Sequence, residues 1–301
     1  MRNLKRKSVF IALVIMVCFS SVFYCEASAL TEQIFVTVKV NDKCIKMDTQ
    51  PYIKDGRTYV SVRFVAEALG SKVDWIADQS KVLISTNEKD KEVITDLSET
   101  VAGAVYADES EAIQLVIGSN ELIALGEKKQ MDVVPELVNG RTMVPIRFVS
   151  ENLDCDVKWD ELTYSVSIYK EGIVIPEELI ENRWYTDEDL MWLARIVHVE
   201  VKGLSVNGRV AVANVVLNRV KSPEFPNTVY DVIFASGQFP PVKKAGFKEL
   251  VPSKDCFIAA KMALNGINNV ENCLFFNNVP FKSKNITLYQ RIDGEYFYRK
   301  K

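Results

Sequence analysis

TDEDLMWLARIVHVEVKG, residues 186–203, is the stretch on which the reading of the whole chain turns. Thr186 followed three residues later by Asp189 has the form of a capping box, and Asp187, Glu188 and Asp189 load a first helical turn with negative charge. Leu190, Leu193, Ala194, Val197 and Val201 then recur at helical spacing, and Gly203 supplies a stop. On that helix Glu200 lies about 80° to one side of the apolar stripe, neither in the core face nor fully in solvent. Its place in the last turn, at the negative end of the helix dipole, and its partial burial both favour the protonated acid. A carboxyl that keeps its proton near neutral pH can give it to a leaving oxygen. The same pattern also describes an ordinary glutamate at a helix border.

Downstream, residues 207–220 form an apolar run that predicts a second, buried helix, ended by Ser222-Pro223. Asn214 and Asn218 are polar groups in that helix and each needs a hydrogen-bond partner; Asn218 also stands as a candidate at the border of a substrate cleft. Residues 236–246, SGQFPPVKKAG, read as a loop, 253–265 as a helix stopped at Gly266, and Asp293-Gly294 as a hairpin turn. Ala194, Arg195, Val197 and Glu200 are followed by Gly208, Val210, Ala211, Val212 and Leu217 to Val220. Phe225, Pro226, Thr228, Val232 and Ile233 come next, then Gly237, Gln238 and Phe239. In this order and spacing, from about residue 187 to the C-terminus, the chain resembles the cell wall hydrolase domain of the spore cortex-lytic enzyme (SleB) type.

The resemblance implies a lysozyme-like, mainly helical domain that cleaves peptidoglycan glycan strands, with Glu200 as the catalytic glutamate. It places Gln238 and Phe239 in the family's turn, where an amide and an aromatic ring suit a sugar; anchoring of the loop by Phe239 in the core is the other reading. It also implies a buried aromatic strand at Leu274-Phe275-Phe276. The chain departs from the family at Leu204, where an acidic residue is common, and at Glu295, where many members carry histidine.

Upstream, residues 1–29 read as a secretory signal peptide: Arg2, Lys5, Arg6 and Lys7, an apolar stretch from Val9, and the small-x-small site Ala27-Ser28-Ala29. A retained membrane anchor is the alternative. Without the leader the chain has net charge −6, divided as −8 over residues 30–170 and +2 over 171–301. The weakly basic C-terminal part suits an anionic polymer. Some 270 residues suggest two domains. Cys44, Cys155, Cys256 and Cys273 show no C-x-x-C spacing, so neither a metal knuckle nor a dithiol motif is indicated. Cys256 and Cys273 are the only pair within the C-terminal domain, either bridged or free.

Residues 30–170 are internally repetitive: units at about 51–86 and 135–170 share 14 of 36 aligned positions at an offset of 84, among them Gly56/Gly140, Arg63/Arg147, Glu67/Glu151 and Trp75/Trp159. Each unit predicts a tight turn, a short strand, a helix and two closing strands, with further strands at 34–40, 112–117 and 121–125. Arg63/Glu67 and Arg147/Glu151 read as local helix salt pairs. Trp75 and Trp159 read as core residues, sugar stacking being the alternative. Over residues 33–170 the chain resembles the copper amine oxidase-like N-terminal, or stalk, domain. That implies a spacer or wall-adhesion module and no active site. Copper(II) favours several nitrogen ligands, and the one histidine of the chain, His198, lies in the other domain.

The reading is therefore α+β with two domains: a repeat-containing α+β stalk domain at 30–170, a linker at 171–186 and the hydrolase domain at 187–301. His198 and Glu200 lie about 160° apart around their helix and cannot share a metal. No metal, cofactor or nucleic acid is expected; the expected partner is peptidoglycan, with wall adhesion through residues 30–170. Only one carboxylate stands out in the matched motifs, whereas hydrolases use two. Glu224 and Asp231 read as surface charges. The expected reaction is that of a lytic transglycosylase on the MurNAc-GlcNAc bond, with Glu200 as acid and base and Gln238, Phe239 and Asn218 against the substrate. The alternatives are a two-carboxylate muramidase and an inactive wall-binding surface protein. Either way the chain is expected to be secreted to the cell wall or spore envelope.

Overall fold

A computed structural model of the protein describes residues 30–86, 112–201 and 203–301. The signal-peptide reading of residues 1–29 lies outside the described residues. Residues 32–301 form one compact unit with two hydrophobic cores.

The first core lies within an arrangement of short strands. In chain order these are β1 (Thr37–Val40), β2 (Lys43–Cys44), β3 (Tyr52–Lys54) and β4 (Arg57–Ser61), then helix α1 (Val62–Ala68) and β5 (Ser71–Ile76), β6 (Lys81–Thr86), β7 (Ile113–Val116), β8 (Glu121–Ala124) and β9 (Glu127–Gln130). β10 (Glu136–Val138), β11 (Arg141–Pro145), helix α2 (Ile146–Glu151), β12 (Asp156–Asp160) and β13 (Ser165–Tyr169) follow. Asp55 and Gly56, like Asn139 and Gly140, all have positive φ, which a two-residue hairpin with the right strand twist requires. The two hairpins join edge to edge through β4 and β11, in the order β10-β11-β4-β3, and Val60 faces Val144, its counterpart 84 residues on. β5 to β9 form an antiparallel meander, and β1 closes the remaining sheet by pairing in parallel with β13.

Three local expectations change. Trp75 is exposed, while Trp159 is half-buried against the core and meets Tyr164 edge-on at 5.9 Å. Arg63 reaches Glu67 at 3.9 Å; of the two expected salt pairs only this one forms among the described residues. The segment 171–186 is more than a connector. Ile175 and Leu179 enter the first core, Ile180 bridges to Ile45, and Tyr185 enters the second core.

The second core is helical. α3 (Asp187–Glu200) starts at Thr186, whose hydroxyl accepts from the Asp189 N–H while the Asp189 carboxylate accepts from the Thr186 N–H. α4 (Val206–Lys221) is buried on nearly all sides. α5 (Val229–Phe234) is capped by Thr228, and α6 (Lys254–Leu264) ends before Gly266. A three-stranded sheet, β14 (Phe275–Asn277), β15 (Ile286–Ile292) and β16 (Glu295–Lys300), is ordered β14-β16-β15. Phe275 and Phe276 are half-buried there rather than buried, because β14 is an edge strand. Cys44, Cys155, Cys256 and Cys273 are buried free thiols.

One side chain ties the two cores. Lys261 on α6 is 1% exposed, and its ammonium donates to the Phe35 carbonyl at 3.0 Å, the Thr37 hydroxyl at 2.9 Å and the Tyr164 carbonyl at 3.0 Å. Lys39 with Asp187 and Lys254 with Glu161 add ion pairs across the same boundary.

Candidate active site

Glu200 ends α3, and the chain turns at once. Val201 is the C-cap and Gly203 takes φ +82°, a conformation costly for any residue with a Cβ. That turn delivers Ser205 to the N-terminus of α4. The Ser205 N–H and hydroxyl both donate to the Asp293 carboxylate, at 2.9 and 2.5 Å. Asp293 therefore supplies the negative charge that a helix N-terminus favours, and it brings the tip of the β15–β16 hairpin to the point where α3 gives way to α4. Gly208 makes room: a Cβ there would stand 2.6 Å from an Asp293 oxygen.

The Glu200 carboxyl is half-buried, and its Oε1 is a buried oxygen without a hydrogen-bond partner. Burial pushes its pKa above the usual carboxylate range, and the charge of Glu295 pushes the same way. The cations Arg219 and Lys244 pull it back. Arg219 rises from α4 and is 5% exposed. Its Nε donates to the Leu274 carbonyl at 2.9 Å, and its Nη1 is buried without a partner. The guanidinium lies 4.9 Å from the centre of the Phe239 ring and 5.2 Å from that of Phe225, a cation–π setting. Burial draws its pKa down to about 10, against the opposing charge of Glu200. Two oppositely charged groups thus share one site, each with a buried polar atom unsatisfied. Such atoms are costly in a finished core, and they are what a site built to receive polar substrate atoms displays.

The other sequence-chosen residues divide. Phe239 belongs to the core and offers a face to Arg219, so it supports the site from beneath. Gln238 is half-buried in the same loop, and its side-chain amide makes no hydrogen bond among the described residues. Asn218 does not face a cleft. It is buried, donating to the Cys273 carbonyl at 2.9 Å and accepting from Asn268 at 3.2 Å, and so fastens α4 to the loop before β14. Asn214 is likewise spent, on the Val210 and Ile267 carbonyls. Glu224 pairs with Lys300, and Asp231 caps α5 with Thr228.

His198 lies near a cysteine, with Cys256 Sγ 3.9 Å from its Nδ1. This is not a nucleophile and its base. Nδ1 accepts from the Ser253 N–H at 3.1 Å, and the thiol is 2% exposed with its pKa raised by burial. A reactive thiol needs access and a lowered pKa. Copper, named in the family to which the first domain is similar, does not fit either. His198 lies outside that domain, and no group of three His, Cys, Asp or Glu residues able to hold a metal occurs among the described residues.

Arg219, Lys244, Asp293 and Glu295 are site residues that sequence reasoning did not choose. Arg219 carried a signal, a charge in the last turn of an apolar helix that is nonetheless buried. Glu295 stands 95 residues from Glu200, and only the fold lets its charge act there.

Comparison with known proteins supports the division into two domains. Residues 39–168 match the copper amine oxidase N-terminal domain and residues 203–298 the Cell Wall Hydrolase family. The second match opens three residues past Glu200, so the case for that residue rests on its surroundings. The spore cortex-lytic enzyme of Bacillus cereus is 39% identical over 94 residues, 31% of this chain and 36% of that protein. The Bacillus subtilis enzyme is 36% identical over 94 residues, 31% of this chain and 30% of that protein. The chain thus spans about a third of the length of these relatives. A solved structure, the catalytic domain of the germination-specific lytic transglycosylase SleB from Bacillus anthracis, is 34% identical. The alignment covers 40% of this chain and 100% of that one, with a TM-score of 0.36. The chain is therefore similar to copper amine oxidase N-terminal domains over residues 39–168 and to the Cell Wall Hydrolase family over residues 203–298, and over 94 residues to spore cortex-lytic enzymes.

Proposed function

We propose that the protein cleaves peptidoglycan glycan strands as a lytic transglycosylase, on a lysozyme-like helical domain, with Glu200 as acid and then base. The observation that carries this reading is the Glu200 carboxyl itself: half-buried, with Oε1 unpartnered and its pKa raised chiefly by burial. Protonated Glu200 gives its proton to the oxygen between N-acetylmuramic acid and N-acetylglucosamine as the bond from that oxygen to C1 breaks. The muramic C6 hydroxyl oxygen attacks C1, and its proton passes to the Glu200 carboxylate, which restores the acid. The product ends in 1,6-anhydromuramic acid, and no water is consumed. Gln238, with its unused amide, is placed against sugar hydroxyls. Export by the 1–29 leader to the cell wall or spore envelope, and adhesion through residues 30–170, belong to the same reading.

Glu295 supports a second reading, because the charge of another carboxylate acts on Glu200. A two-carboxylate muramidase would use water at C1. Digestion of purified peptidoglycan by residues 30–301, wild type beside Glu200→Gln, separates the two by mass spectrometry. Anhydro ends from the wild type and none from the variant establish the transglycosylase. Reducing ends carrying oxygen from labelled water establish the muramidase. If vegetative wall and spore cortex both stay uncut, the wall-binding protein takes the place of either enzyme.

A further inference from the structure

Two hollows in the first domain are built from equivalent residues of its two repeated units. β4 meets β11 antiparallel with Val60 opposite Val144, its own counterpart 84 residues on. A self-paired contact of that kind marks a local twofold axis, so a feature on one side recurs on the other. The larger hollow has a volume of about 530 Å³ and is lined from the β3–β4 hairpin and from α2, β12 and β13. The smaller, of about 290 Å³, is lined from the β10–β11 hairpin and from α1, β5 and β6. Each therefore joins the hairpin of one unit to the helix and closing strands of the other. Each of the ten described residues lining the smaller hollow has its counterpart, 84 positions away, lining the larger. Seven of these ten pairs are identical, against 14 of 36 over the whole repeat, so the hollows differ less than the units that make them.

The shared lining is specific in its chemistry. Residues 30–170 contain two tryptophans and four arginines. Each hollow takes one tryptophan and two arginines: Trp159 with Arg57 and Arg147, and Trp75 with Arg141 and Arg63. All four arginines are exposed. Arg57 and Arg141 are braced by ion pairs to Asp132 and Asp48, which are themselves 84 residues apart. Ile53 in the larger hollow and its counterpart Leu137 in the smaller are large apolar side chains left in water. The other two tryptophans of the chain spend their indole N–H groups, Trp184 on the Leu264 carbonyl and Trp192 on the Glu188 carboxylate. Those of Trp75 and Trp159 donate to nothing among the described residues. An indole offers an apolar face and a free donor, and a guanidinium offers five N–H donors and no acceptor. Together they fit a sugar ring whose substituents are rich in carbonyl and carboxylate oxygens.

We propose that the two hollows are equivalent glycan subsites, each seating a sugar of a peptidoglycan strand with its ring on Trp75 or Trp159 and the amide and carboxylate oxygens of its substituents on the paired arginines. The proposal rests on the wall-directed reading of the chain and deepens it by naming where the first domain holds the polymer. A repeated site suits a repeating polymer. Once one hollow is filled, the other meets neighbouring glycan at high effective concentration, and avidity gains 10²-fold or more over either contact alone.

The test uses residues 30–301 carrying Glu200→Gln, sedimented with peptidoglycan sacculi stripped of phosphate-bearing polymers, to give an apparent Kd. Trp75→Ala, at an exposed position, removes the avidity and raises that Kd on the order of 10²-fold with the thermal melt unmoved. Trp75→Phe keeps a ring and restores most of the affinity. Trp159 packs on the core, so its hollow is tested through exposed Arg147→Met, which raises the Kd in the same direction. An unchanged Kd in both Trp75→Ala and Arg147→Met overturns the proposal. Binding that is absent on stripped sacculi and returns on walls retaining their phosphate-bearing polymers overturns it in favour of a phosphate ligand. A Kd raised by Trp75→Ala, while the chain with Glu200 intact leaves sacculi uncut, keeps the subsites and removes the enzyme. Cleavage with an unmoved Kd keeps the enzyme and removes the subsites.

Discussion

Lys261 and Glu200 are both ionisable groups withdrawn from water on helices of the same domain, and their surroundings are opposite. The Lys261 ammonium meets three acceptors, the Phe35 and Tyr164 carbonyls and the Thr37 hydroxyl, all from the other domain. Burial draws its pKa down to about 7, and the charge of Arg183 pulls the same way; hydrogen bonds to three acceptors suit the charged form. Glu200 has a buried oxygen with no acceptor or donor beside it. A buried charge whose hydrogen bonds are complete holds structure; one left incomplete stores the means of a reaction. The difference separates stability from activity and can be broken at either end.

The largest effect is expected from Glu200→Gln. Removing a general acid typically costs about 10²–10⁴-fold in rate. The thermal midpoint should hold or rise, because a partnerless buried carboxyl is exchanged for a neutral amide of the same shape. A fall in stability matching the fall in rate would show that Glu200 is a structural residue. Lys261→Met is expected to do the reverse. It leaves three acceptors without their donor, a loss on the order of 3 kcal/mol, seen in a thermal melt. The activity of each folded molecule should stay near that of the wild type. If Lys261→Met instead leaves the melt unchanged, the tie between the two cores carries no net stability.

Gly208→Ala sharpens the comparison from the side of the site. In an ordinary helix interior the change gains about 1 kcal/mol. Here the new methyl meets Asp293 Oδ2 at 2.6 Å and Leu204 at 2.9 Å, so the hairpin tip must retreat or α4 must shift, at about 1–3 kcal/mol. An alanine that stabilises the protein would show that the tip yields freely.

How much of this was legible in sequence follows from distance along the chain. The cap at Thr186, the length of α3 and the border position of Glu200 are set by residues within a few turns of one another, and local periodicity reads them well. The fate of Asn218 is set by Cys273 and Asn268, more than 50 residues away, and a polar residue in an apolar helix looks the same whether it faces a cleft or a carbonyl. Phe239 is similar: its turn was readable, but the guanidinium on its face comes from another helix. Glu295 could be marked only as a departure, because only the fold lets its charge act on Glu200.

The smallest effect lies in the first domain, and it tests whether a repeated pair of charges implies a shared role. Arg63 is exposed, Glu67 is partly so, and they lie 3.9 Å apart at their nearest nitrogen and oxygen. At that distance in water the Coulomb gain nearly cancels the entropy of holding two long side chains, leaving a few tenths of a kcal/mol. Arg147 and Glu151 hold the same spacing in the second unit without closing. Arg63→Ala should therefore lower stability by no more than about 0.5 kcal/mol, and Arg147→Ala by no more than that. A thermal melt at low and high salt checks both, since a solvent-exposed pair weakens on screening. A larger, salt-independent loss from Arg147→Ala would mean that its guanidinium is used by something other than Glu151. Half-buried Trp159 lines the same hollow as Arg147, so a loss of wall binding in that variant, with the melt unchanged, would move the arginine from the fold to the function of the domain.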